Sequence, residues 1–194
     1  MKKVYIIHGW DGSRDEPLFR WLDNELSVRD FLVERLAMPN PETPVIEPWI
    51  EKLQESINPD SETILVGHSV GCQAVMRYLE TLPVGTKIKG LVLLAPWMKL
   101  DQTTIEEEGE EVVEIARPWM ETPIDFDKVK KVAPKIVAIF SDNDDFVELS
   151  QKDFFEEKLG AQTVVEHEKG HFSPAENISE LPSALESILS LYKT

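Results

Sequence analysis

Only one of the 194 residues is a cysteine, and basic side chains are scarce, with 20 Lys and Arg against 36 Asp and Glu. Cys72 alone forms no internal disulfide, and the paired cysteines of zinc motifs are absent. The formal charge of −16 argues against nucleic acid and anionic membrane surfaces, because both select basic patches. Long hydrophobic runs are missing too. The longest, Gly90 to Met98, falls far short of the roughly 20 residues that a membrane span requires. Four apolar residues between Lys3 and His8 are too few for a secretory leader. A cytoplasmic location, with neither membrane nor nucleic-acid partners, is the expectation.

What is present describes a folded domain. Apolar residues at 42% and charged residues at 29% match globular usage, and the length suits one domain spanning 1–194. Val4–Ile7, Phe31–Met38, Thr63–Val66, Ile88–Ala95, Lys135–Phe140 and Ala161–Glu166 read as strands. Between them, helical spacing recurs in Pro17–Leu26 behind a Ser13/Asp15 capping region, in Val45–Ile57, and in Val70–Leu82. Leu149–Leu159 and Ile178–Tyr192 read as two further helices. Strands alternating with helices predict an α/β fold, a mostly parallel sheet of about six strands with helices on both faces. The segment 97–123 breaks this rhythm: it is rich in glutamate and has no strand-like run. It reads either as a solvated acidic helix and loop or as a cap over the mouth of the sheet, with Trp97 and Trp119 as apolar walls.

Gly67-His68-Ser69-Val70-Gly71 carries the most chemical information. It fits G-x-S-x-G with a strand before it and a helix after it, the setting of a nucleophile elbow; chance yields roughly 0.03 such matches in this chain. A serine on so tight a turn projects from the sheet's carboxyl edge, with a helix N-terminus facing any anion that develops. A serine hydroxyl also needs a base. Of the four histidines, His8 ends a strand, His68 lies inside the elbow and His167 closes the last strand. His171 follows Gly170 in a loop at the carboxyl end of that strand, where sites form in open α/β sheets. A zinc reading of His167 and His171 lacks further ligands, so neither metal nor organic cofactor is expected. Asp142, Asp144 and Asp145, just past the fifth strand, supply the carboxylate in the order Ser, Asp, His; spacing leaves the choice among them open. The backbone N–H groups of Val70 and Trp10 are the candidate oxyanion donors. Cys72 reads as a small packed residue of the helix's first turn.

Val4-Tyr5-Ile6-Ile7-His8-Gly9, Met38-Pro39-Asn40-Pro41, Gly67 through Cys72, Arg117-Pro118-Trp119 and Gly170-His171-Phe172, in this order, resemble the small serine hydrolases of the α/β-hydrolase superfamily, the retinoblastoma-binding protein 9 and YdeN-like family. The resemblance covers essentially the whole chain. It implies a compact α/β-hydrolase fold whose sheet starts at the oxyanion strand, with Ser69 as nucleophile and His171 as base. It also selects Asp144, three residues before Val147, although Glu148 stands where the family usually has proline. The acidic stretch Glu106–Glu111 matches nothing in that pattern. The implied activity is hydrolysis of small carboxylic esters, thioesters or activated amides through an acyl-enzyme, with a small-molecule acyl substrate and no indicated protein partner. The competing expectations are amide or peptide hydrolysis, and a protein-binding scaffold with little turnover. His8, Trp97, Trp119 and Phe172 are the candidate pocket residues.

Overall fold

The computed structural model describes residues 1–100 and 102–193, without the side chains of Gln102 and Thr104. Six strands form one sheet in the order β2-β1-β3-β4-β5-β6: β1 (Lys3–Ile7), β2 (Leu32–Leu36), β3 (Thr63–His68), β4 (Gly90–Leu94), β5 (Ile136–Ser141) and β6 (Gln162–Glu166). Every pairing is parallel. The four inner strands are buried on both faces, so their sequences are continuous apolar runs. Alternate residues serve opposite layers. Val4, Ile6, Ile64, Val66, Val92 and Leu94 meet α1 (Pro17–Ser27) and α8 (Pro182–Ser190). Tyr5, Ile7, Leu65, Leu91 and Leu93 meet α2 (Ile46–Ser56), α3 (Val70–Thr81), α6 (Phe126–Val132) and α7 (Gln151–Leu159). Among the described residues no helix is long and apolar enough to cross a membrane.

Three details depart from the sequence reading. The helix α1 starts at Pro17 with Glu16 as its cap, not on Ser13 or Asp15; Glu16 Oε1 instead accepts the Ser13 N–H at 2.8 Å. The last helix is shorter than 178–192, because Pro182 opens it and a single turn of tighter helix, Pro174–Glu176, fills the approach. The helix α6 was not anticipated at all; Asp125 caps it by accepting the Lys128 N–H.

Between β4 and α6 the chain makes an excursion built of α4 (Gln102–Glu108) and α5 (Glu110–Glu121). Both its ends are fastened. Gln151 Oε1 accepts the N–H groups of Met98 (2.8 Å) and Lys99 (3.0 Å). At the far end the Arg77 guanidinium donates to the carbonyls of Trp119 (3.1 Å), Thr122 (2.7 Å) and Pro123 (3.3 Å). Chain order reverses between β1 and β3, so their carboxyl ends bound a crevice at the sheet's switch point. The excursion lies over that crevice.

Candidate active site

The turn from β3 into α3 is made on Ser69 alone, with φ 53° and ψ −124°. Such a backbone costs a non-glycine residue on the order of 1–3 kcal/mol. It is held by the Ser69 N–H donating to the Leu94 carbonyl and the Ser69 carbonyl accepting from the Cys72 N–H, both at 2.9 Å. The flanking glycines are required by packing. A β-carbon on Gly67 would stand 2.7 Å from Cys72 Cα, and one on Gly71 only 2.5 Å from the His8 carbonyl oxygen. The loop after β1 is equally close: a β-carbon on Gly9 would meet Ser69 Cβ at 3.1 Å. Cys72 is buried, its thiol turned to the carbonyls of Gly67 and Leu94, and burial pushes its pKa far up.

His171 Nδ1 lies 2.8 Å from Asp144 Oδ2, and the two side chains are 13% and 2% exposed. The other oxygen of Asp144 accepts the N–H groups of Phe146 (2.9 Å) and Val147 (3.0 Å). The carboxylate is therefore anchored by its own turn while it orients the imidazole, and a proton on Nδ1 leaves Nε2 as the basic nitrogen. Phe146 packs edge-on against the His171 ring, 5.3 Å between centroids. His68 Nε2–H donates to the His171 carbonyl at 2.7 Å, tying the elbow to the histidine loop. Burial, reinforced by the neighbouring His171 charge, pushes the His68 pKa down to about 3. Asp142 goes elsewhere. Its carboxylate holds His167 Nδ1 at 2.6 Å and the Glu168 N–H at 2.9 Å, an exposed pair in which the hydrogen bond to Asp142 raises the His167 pKa. Asp145 is exposed.

Ser69 and His171 line one cavity of about 580 Å³. Trp10, Trp97 and Phe146 form its inner walls, and the excursion supplies Leu100, Ile105, Val112 and Ile115. The segment 97–123 thus contributes to the cavity wall while its glutamates stay exposed. Asp11, Glu42, Glu108 and Glu111, all exposed, are also among the lining residues, while Lys99 and Arg117 are not. Of the four pocket residues expected from sequence, Trp97 is on the wall and three are not. His8 is a scaffold residue: its Nε2 accepts the Met38 N–H (3.0 Å) and its Nδ1–H donates to the Gly9 carbonyl (2.8 Å). Trp119, on the buried side of α5, donates to the Pro44 carbonyl at 2.9 Å. Phe172 is fully buried in the layer with α1 and α8. Sequence reasoning missed Phe146, whose only signal was an aromatic beside the aspartate turn. Among the described residues no three metal-ligating side chains converge.

A parallel six-stranded sheet covered on both faces, with a serine elbow at its switch point, defines an α/β-hydrolase fold. The chain belongs to the serine hydrolase family, whose model matches residues 4–190. YdeN of Bacillus subtilis (strain 168) is 30% identical over 195 residues, covering 98% of this chain and 96% of that protein. The serine hydrolase RBBP9 of Rattus norvegicus is 26% identical over 185 residues, 94% of this chain and 88% of its own length. The crystal structure of the Bacillus subtilis ydeN product superposes with a TM-score of 0.86 at 27% identity and full coverage of both chains. Est1E from Butyrivibrio proteoclasticus shares the fold, with a TM-score of 0.71 at 16% identity, 100% of this chain and 89% of that one. The protein is a serine hydrolase.

Proposed function

We propose that this serine hydrolase cleaves small carboxylic esters by two-step acyl transfer. One observation carries the reading: a serine forced onto a strained elbow shares a cavity with a histidine whose other nitrogen is fixed by a buried carboxylate. His171 Nε2 takes the Ser69 proton as Oγ attacks the carbonyl carbon. Asp144 keeps the imidazole in the required tautomer and stabilises its cationic form. The N–H groups of Trp10 and Val70, which donate to no described residue, hold the oxyanion, each contributing about 3 kcal/mol in comparable sites. The protonated histidine then delivers its proton to the leaving alcohol. Water repeats the sequence on the acyl-enzyme.

The cavity's apolar walls suit a compact acyl group. Its carboxylates and its lack of lysine or arginine among the described lining residues favour neutral and cationic substrates over anionic ones. Labelling with a fluorophosphonate probe tests the mechanism. Wild type is expected to label, and both Ser69→Ala and His171→Ala to lose it; a folded wild type that stays unlabelled overturns the reading.

A further inference from the structure

Among the described residues four indole N–H groups donate hydrogen bonds, and one acceptor differs in kind. Trp10, Trp49 and Trp119 donate to the backbone carbonyls of Glu42, Pro39 and Pro44. Trp97 donates to Ser69 Oγ at 3.2 Å. In this resting state no hydrogen bond joins Ser69 Oγ to His171, so the indole is the hydroxyl's side-chain partner among the described residues. Trp97 is itself locked. It is 1% exposed, and its carbonyl accepts from Gln73 Nε2 at 3.1 Å. Gln73 Oε1 in turn accepts from Arg77, the residue that fastens the end of the excursion. A donor held this firmly is aimed at the oxygen whose bonding changes twice per turnover.

We infer that Trp97 is a further catalytic residue, one that stabilises Ser69 Oγ as the leaving group of deacylation; this rests on the acyl-enzyme reading above. Only interactions stronger in the transition state than in the preceding ground state accelerate a step. Before acylation the Trp97 bond to the free hydroxyl already exists, so attack on substrate gains little from it. In the acyl-enzyme Oγ is an ester oxygen, a weak acceptor. Water then adds to the acyl carbon as His171 removes its proton. When that intermediate collapses, the C–Oγ bond breaks and its electron pair returns to Oγ. The indole N–H meets this growing charge while His171 gives the proton back, leaving a free serine and a carboxylic acid. The bond to Trp97 is therefore regained during deacylation alone.

The test separates the two half-reactions with p-nitrophenyl acetate. Stopped-flow release of p-nitrophenol reports acylation, and quenched-flow mass spectrometry of the acetyl adduct on Ser69 reports deacylation. Two variants are compared with wild type: Trp97→Phe, and Trp97 replaced by 3-benzothienylalanine, which keeps the bicyclic shape but has no N–H and so guards against loss of packing. Both are expected to acylate within about twofold of wild type, and to deacylate about fivefold to tenfold more slowly, the effect of one neutral hydrogen bond. Equal slowing of both steps in the benzothienyl variant, or no change in either, overturns the role. Absence of an adduct on wild-type Ser69 overturns the acyl-enzyme reading itself, a result distinct from an unchanged ratio.

Discussion

Acid should unfold this protein through His68 before its carboxylates titrate. The side chain is 4% exposed; its Nε2–H is committed to the His171 carbonyl, and its Nδ1 has no partner among the described residues. A second proton would have to sit on that buried nitrogen, so the folded pKa falls to about 3 from the ordinary 6.5. The unfolded chain binds the proton at pH 5 and the folded chain does not. Stability is therefore intact above about pH 6.5 and is lost as pH falls from there towards 3. Between pH 7.5 and 5 the two pKa values give about 2 kcal/mol, and about 5 kcal/mol over the full shift. His8, lowered by burial, adds in the same direction. Urea unfolding followed by tryptophan fluorescence at the two pH values measures this loss, provided the slope with denaturant stays constant. His68→Gln keeps a donor for the His171 carbonyl but cannot titrate, so it should lose about 2 kcal/mol less than wild type on acidification. Equal losses in both proteins would refute the reasoning.

Two further outcomes are expected. Asp144→Asn retains an oxygen for the Phe146 and Val147 N–H groups but turns an amide donor towards His171 Nδ1, imposing the wrong tautomer; kcat on an ester should fall about 10⁴-fold with the thermal midpoint nearly unchanged. In steady-state kinetics, a cationic ester should have a higher kcat/KM than its anionic isostere, and Glu108→Gln combined with Glu111→Gln should lower that ratio about threefold to tenfold at low salt, and less at high salt.

The sheet was legible because its inner strands are buried on both faces: Ile64–Val66 and Leu91–Leu94 admit little but apolar residues, and such runs declare themselves. The elbow was legible because its glycines answer hard steric limits. Other features depended on partners far apart in sequence. Nothing local distinguishes Asp142 from Asp144; one meets His167 and the other His171, on either side of the same loop. The excursion's composition suits a solvated helix equally well, since Ile105, Val112 and Ile115 interrupt the glutamates at spacings either role allows. The expectation that Trp119 faced the pocket failed because a proline carbonyl, Pro44, captures its N–H. The short helix α6 escaped notice because seven residues carry too little periodicity.

The excursion between β4 and α6 is fastened through backbone at both its ends. Gln151 and Arg77 lie outside it and grip main-chain amides and carbonyls, so neither anchor depends on the side chains between them. Substitutions at its exposed positions, such as Glu107 or Glu114, should therefore leave the sheet and the elbow undisturbed. The part of the cavity wall that Val112 and Ile115 supply can thus be altered separately from the turns that carry Ser69 and His171.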